Sequence, residues 1–273
     1  MSIPFKSAHI LLPDFSATDG GRWSCVACDQ YTSEPAYWEG ADAYAGESPS
    51  ALRLIIPEVY LEETEQRKPM VLASMDTYVK NVLKEHPDAM ILVERTLHSG
   101  ETRMGLVGAV DLMTYDYRKG ADSLIRATEA TVAERIPART TIRRDAPIEL
   151  PHVMMLIDDR ARSVIEPLAT AKDTLPVAYD HDLMQDSGHI KGMLLDEQAK
   201  KTVLGNLANI HGSTAMFGAV DEAIVIYKEK RSDPEATISF TGRTIETVRN
   251  AQETGAVGTA LVVAAGIRGV DVL

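Results

Sequence analysis

The chain has 273 residues, 45% of them hydrophobic and 25% charged, with a formal net charge of −12. That balance suits a globular protein of one large or two modest domains and excludes bulk disorder. The negative field disfavours nucleic acid, whose phosphates need Lys and Arg. No apolar run approaches a membrane span and the N-terminus has no cleavage pattern, so the expectation is a cytoplasmic protein with no nucleic-acid and no membrane partner.

Residues 8–12 form a first apolar run, followed by a turn-rich loop from Asp14 to Gly21. Residues 22–28 read as a second short strand carrying Cys25 and Cys28, where positions i and i+3 face opposite sides. No second Cys or His pair stands at zinc-ligand spacing, so the two cysteines read as buried thiols without a disulfide. Ser33 is placed to cap a helix with Pro35 in its first turn, running to about Ala45. Leu52–Ile56 is β-type and ends at Pro57. Residues 58–85 have helical character through Met70, Val71, Met75, Tyr78, Val79, Val82 and Leu83, and His86-Pro87-Asp88 stops that helix.

Met90–Val93 and Met104–Val110 read as strands with a hairpin-like connection through Ser99-Gly100-Glu101. Pro151–Ile157 is a continuous apolar run of the kind found in buried strands. Ser163–Lys172 reads as a helix, and Val177–Tyr179 and His189–Leu195 as extended segments. Asp196 caps a helix to about Ile210. After Ala236, Thr, Gly and Ala dominate. Strand and helix runs that mix without strict alternation predict an α+β fold: a mixed sheet with flanking helices, plus a short Gly/Ala-rich C-terminal helical segment.

Three stretches carry chemistry. Arg95, Arg103, Arg126, Arg135, Arg139, Arg143 and Arg144 gather in an otherwise acidic protein. Asp122 or Ser123 could cap a helix whose N–H groups favour an anion, and Arg supplies forked donors to phosphate or carboxylate. The anion-binding set expected here is Arg95, Arg103, Ser123, Arg126, Thr128 and Glu129. The competing reading is a solvated face of individually weak Arg–Glu pairs around Glu134. The second stretch is Asp180-His181-Asp182 with Asp186, His189 and Lys191. Of these, Asp180, Asp182 and His189 are weak candidates for a metal, with Asp158 and Asp159 as further carboxylates, against the alternative of a polar turn. The third is Asp29-Gln30-Tyr31-Thr32, a binding loop or an Asx-type turn. His9, His86, His98 and His152 have no evident partner. Nucleophile-elbow, zinc-protease and P-loop motifs do not occur, so catalytic residues stay unassigned.

Several phrases fall together in order. They are Trp23–Pro35, Leu106–Leu112, Tyr115-Asp-Tyr117, Ser123–Glu129, Glu134-Arg-Ile-Pro137, Glu149-Leu-Pro-His152, Tyr179–Met184 and Gly188-His-Ile-Lys-Gly192. Over about residues 1–200 they resemble the DUF1015 family of unknown function. The resemblance implies a ParB-like, kinase-related ancestry, a phosphorylated small molecule as partner, and ATP with Mg as cofactors. The Gly-Asp-Gly-Asn-His-Ser phrase of that family does not occur here. Thr241–Ala260 resembles the end of an FGGY-type carbohydrate kinase. The expected organisation is 1–204 as an incomplete DUF1015-like domain, 205–239 as a junction and 240–273 as a kinase-like tail. The function expected from all this is an incomplete phosphotransferase-like domain with a small-anion or phosphometabolite pocket. The alternative is a non-catalytic structural or interaction protein arising by fusion or truncation.

Overall fold

The computed structural model describes residues 4–111, 125–127, 136–150, 153–157, 159–210, 216–219, 223–227, 237–241 and 261–267, with only the backbone course for 126, 127, 153 and the strands after 210. The strands are β1 (Phe5–Lys6), β2 (Ala8–Pro13), β3 (Leu83–Ala89), β4 (Ile91–Thr96), β5 (Thr102–Val110), β6 (Ile125–Ala127), β7 (Val153–Ile157), β8 (Val177–Asp182), β9 (His189–Leu194), β10 (Met216–Ala219), β11 (Ala223–Tyr227), β12 (Thr237–Thr241) and β13 (Leu261–Ile267). The α-helices are α1 (Gly20–Trp23), α2 (Pro35–Ala45), α3 (Thr64–Asn81), α4 (Ile136–Asp145), α5 (Ile165–Ala171) and α6 (Glu197–Asn209). The fold is α+β, as expected. Among the described residues no helix is long and apolar enough to cross a membrane.

The main sheet runs β6-β10-β7-β13-β5-β4-β9-β8, with β1 also pairing β5. It is mixed: β6/β10 and β7/β13 are parallel, and the other pairs are antiparallel. Strand alternation divides β4 between two cores. Leu92 joins Leu106, Met193, Leu168 and Val203 on one face, under α5 and α6. Ile91 and Val93 join Val107, Ala8 and Ile10 on the other, under the β2–β3 hairpin. A third cluster packs Trp38 and Ala41 of α2 on Leu183 and Met184.

Several segments differ from the sequence reading, each for a physical reason. Residues 22–28 hold no strand, because the Asp19 carboxylate accepts from the Gly21 and Arg22 amides and nucleates α1 instead. Leu52–Ile56 is likewise not β: Ser50 caps a 3-10 turn at Ala51–Leu54. The long helical stretch breaks after Asn81, and His86-Pro87 lies inside β3. That proline is tolerated because, among the described residues, β3 pairs with β2 alone, across an irregular register. Pro35 does open α2, but the capping position is Glu34, not Ser33.

Two corrections bear on function. The expected helix after Asp122–Ser123 is replaced at Ile125–Ala127 by β6, paired in parallel with β10. In the Gly/Ala-rich tail, Leu261–Ile267 is a strand between β5 and β7, not a helical segment. Valine, a β-branched residue, suits a strand with neighbours on both sides, and Val262 and Val263 stand in this one. The chain after residue 204 therefore contributes β10 and β13 to the same sheet as the earlier strands.

Candidate functional site

An open cleft of about 800 Å³ lies where β8, β9 and the end of β4 meet, lined among others by Thr96, His98, Asp180, Asp182, Asp186 and His189. Its size falls in the range of small-molecule sites. The register explains its chemistry. Asp182 stands opposite His189 and Asp180 opposite Lys191. Residues two apart share a face, so Asp180, Asp182, His189 and Lys191 project together. His189 Nδ1 lies 2.7 Å from Asp182 Oδ1, its Nε2 lies 2.7 Å from Asp180 Oδ1, and Lys191 Nζ lies 3.2 Å from Asp180 Oδ2.

This arrangement sets the ionisation of the group. Hydrogen bonding to Asp182 raises the His189 pKa; burial opposes it, and Asp180 adds to the rise. For Asp180, burial pushes the carboxyl up, but hydrogen bonds from Lys191 and His189 outweigh it and the pKa is lowered. With both ring nitrogens against carboxylates, the geometry favours the imidazolium form of His189, which alone donates from both nitrogens. The three weak metal candidates are thus brought together as an ion-paired bridge. Among the described residues no group of three His, Cys, Asp or Glu side chains is placed to hold a metal ion.

The turn from β8 to β9 is held open in an unusual conformation. Gln185 (φ 56°) and Asp186 (φ 52°) are left-handed, and Gly188 has φ 97°. A Cβ at Gly188 would overlap the Thr96 carbonyl oxygen, so the turn needs glycine there. Arg95 pins the turn from beneath, donating to the carbonyl oxygens of Thr96, Ser187 (2.6 Å) and His189 (3.2 Å). Burial lowers the Arg95 pKa. The Tyr37 hydroxyl lies 2.7 Å from Ser187 Oγ and donates to the Met184 carbonyl at 3.3 Å; burial pushes its pKa up to about 12. His98 Nδ1 reaches the Asp186 carbonyl at 3.0 Å and its carboxylate at 3.2 Å.

On the other side of β8, His181 packs on Phe15 with ring centroids 4.6 Å apart. A Cβ at Gly20 would overlap the imidazole, so α1 lies directly on the ring. Burial lowers the His181 pKa, and its Nε2 is buried with no hydrogen-bond partner among the described residues.

The described arginines of the Arg-rich stretch are spread over several elements. Arg95 and Arg103 face each other across β4 and β5. Arg126 lies on β6, four strands along the sheet from β5, or roughly 19 Å at the usual strand spacing. Ser123, Thr128 and Glu129 lie outside the described residues, as do Arg135, Asp158 and His152. Arg139 sits elsewhere, in a small buried pocket, 3.0 Å from Cys28 Sγ and 3.5 Å from Glu58 Oε2; Arg143 pairs there with Glu149 at 3.1 Å. Cys25 and Cys28 form no disulfide, and burial pushes the Cys25 thiol up to about 12. Asp159 caps the chain before α5 through the Ser163 and Val164 amides. Asp29 lies in a turn with its Oδ1 buried and without a partner among the described residues, and Tyr31 stacks on Tyr37 with centroids 3.8 Å apart.

Sequence reasoning found the Asp180–His189 group but missed His98, Asp186's partner, because no local pattern links residues 88 apart. Pairing β4 with β9 would have found it: Thr96 stands opposite His189, which brings Leu97 and His98 to the turn.

The protein so defined is an α+β domain with a polar, turn-bounded cleft at one edge of its sheet. A family described as "Protein of unknown function (DUF1015)" matches residues 10–211, and the chain belongs to that family. It matches no curated protein and no solved structure.

Proposed function

We propose that this chain is a small-molecule-binding domain whose ligand sits in the cleft between the β8–β9 turn and the end of β4. The observation that carries the reading is the convergence of Asp180, Asp182, Asp186, His98 and His189 around about 800 Å³ of open space. These groups come from two distant stretches of the chain, and the turn bearing them is anchored from below by Arg95 and Tyr37. A strained, non-repetitive turn held by part-buried hydrogen bonds is where binding geometry is commonly stored. With three carboxylates at its rim, the cleft suits a polar metabolite that presents hydrogen-bond donors or a positive charge. The test is a thermal-shift screen over amines, amino acids, sugars and nucleotides, followed by calorimetry on the hits. Binding that weakens at least tenfold in His98→Ala and Asp182→Ala supports the reading. Hits unaffected by both substitutions overturn it.

A phosphorylated ligand is the second reading, in keeping with the ParB-like, kinase-related resemblance and an incomplete phosphotransferase. The juxtaposition of Arg95 and Arg103 at directly registered positions favours it, since like charges opposite each other are destabilising and an anion would relieve them. The carbonyl partners of Arg95 argue against it. Calorimetry with pyrophosphate, phosphoserine and ATP with Mg separates the two readings. Binding lost in Arg103→Ala but kept in Asp182→Ala selects the anion.

A further inference from the structure

The His189 bridge has a property that the other ion pairs among the described residues lack. Its two nitrogens each face a different carboxylate, and the carboxylates sit two residues apart on one strand. An imidazolium donates from both nitrogens, whereas a neutral imidazole donates from one and accepts at the other. Removing one proton therefore turns one of the two 2.7 Å contacts into an acceptor facing an acceptor. Asp180 keeps Lys191 as a second partner; for Asp182, His189 is its sole ion-pair partner among the described residues.

We propose that His189 is a proton-operated clasp on the cleft: doubly protonated it ties Asp180 to Asp182 across the rim, and loss of one proton releases Asp182 and loosens the β8–β9 turn. The asymmetry decides which side opens. The Asp182 side chain is 88% exposed and free to swing into solvent, while Asp180 is 44% exposed and doubly held. Charged groups on every neighbouring element enter the balance. On β8 these are Asp180, Asp182 and His181, whose ring acts on His189 through space. On β9 it is Lys191. On β4, Thr96 stands opposite His189 and is neutral, the Arg95 cation donates to the His189 carbonyl at 3.2 Å and opposes the proton, and Glu94, two residues back from Thr96, is paired to Lys172. On the turn and its anchor, Asp186 is held by His98. The nearest carboxylates favour the proton and Lys191 opposes it. Histidine is the side chain whose unperturbed charge change lies nearest neutral pH, and the carboxylates raise it, so the clasp releases above the ordinary histidine value.

The consequence for ligand binding rests on the cleft being the binding site; the clasp itself does not. The experiment is therefore done first without ligand, on the full chain. Ring ¹⁵N shifts of His189 are followed from pH 5 to 9, together with amide exchange of residues 184–188 corrected for its intrinsic base dependence. The expected result is a doubly protonated ring that titrates above the ordinary histidine value, with corrected exchange of the turn rising through the same midpoint. In Asp182→Asn the midpoint drops and the step in exchange disappears, while His98→Gln leaves the His189 midpoint in place. A His189 midpoint at or below the ordinary value, or one unmoved in Asp182→Asn, overturns the clasp, and so does exchange that shows no step. If the clasp titrates as described and the screen yields no cleft ligand, the binding reading fails and the clasp stands. If ligands bind with the same affinity on both sides of the midpoint, the site stands and its regulation by the clasp fails.

Discussion

One face of the main sheet has two different ends. On β4 and β9, Leu92 stands opposite Met193, and both are 0% exposed beneath α5 and α6. Four residues along the same strands, roughly 13 Å away, Thr96 stands opposite His189 at the rim of the cleft. The strands and their alternation are the same; what differs is the cover. Where α5 and α6 lie over the sheet, burial of apolar area stabilises the fold by about 25 cal/mol per Å². Beyond them the face is polar and open, and its ion pairs are individually worth little. Stability resides at the covered end, and the proposed ligand cleft and proton-operated clasp lie at the open one.

The largest expected effect breaks the covered end. Leu92→Ala removes a fully buried side chain and leaves a cavity, with a cost of about 2–5 kcal/mol in urea unfolding. If the two ends are separable, the His189 titration in the folded protein stays unchanged. A shift of that midpoint in Leu92→Ala would join the two ends into one cooperative unit. Next in size is Gly188→Ala at the open end. Its φ of 97° and the overlap with the Thr96 carbonyl predict a loss of roughly 1–3 kcal/mol. Unlike Leu92→Ala, it should also change the ring shifts of His189 and His98, because it displaces the turn that both reach.

The two ends were not equally legible in the sequence. The covered end announces itself: Met90–Val93 and Met104–Val110 are apolar runs that could only be buried, and both became core strands. Asp196 is an N-cap in sequence and in structure, accepting from the Ala199 amide. The open end was half visible. Asp180, Asp182 and His189 cluster in sequence, but their arrangement depends on register, which places His189 between two aspartates as an ion-paired bridge. The Arg-rich stretch shows that closeness along the chain is not closeness in the sheet. Residues 95 and 126 are separated by several strands inserted from much later in the chain, β13 and β10 among them. No local signal predicts that a Gly/Ala-rich tail segment will enter a sheet between β5 and β7. Arg95 illustrates the same limit at one residue: its type suits an anion, and only the fold reveals that backbone carbonyls occupy it.

A smaller effect should follow from Arg95→Met. It leaves the Ser187 and His189 carbonyls without their donor while keeping most of the apolar stem, with an expected cost of about 1–2 kcal/mol within the range for a buried group left unsatisfied. Arg95→Lys should recover only part of this, because an ammonium lacks the planar fork that reaches several acceptors at once. Urea unfolding of both variants beside wild type checks the order. Equal stability of all three would make the anchor dispensable and weaken the case for a built cleft.

The smallest effect is the one specific to the open end, and it has a sign. His189 has a raised pKa in the folded protein, chiefly through Asp182. Such a group contributes stability that is fully present below its unfolded value near 6.5 and is lost as pH rises through the higher folded value. Asp180 is lowered, so its contribution is present above the unfolded carboxylate value and is lost only as pH falls through the folded one. Between those limits both groups are charged and the bridge is complete. Raising the pH from 6 to 9 should therefore lower the urea midpoint of wild type relative to Asp182→Asn, corresponding to a loss of less than about 1 kcal/mol of unfolding free energy because the pair is largely exposed. The same pH change applied to Leu92→Ala should lower its midpoint by the wild-type amount, since Leu92 touches none of the titrating groups. If Asp182→Asn loses as much stability over that range as wild type does, the pH dependence belongs to some other group and the two ends cease to differ in the way proposed.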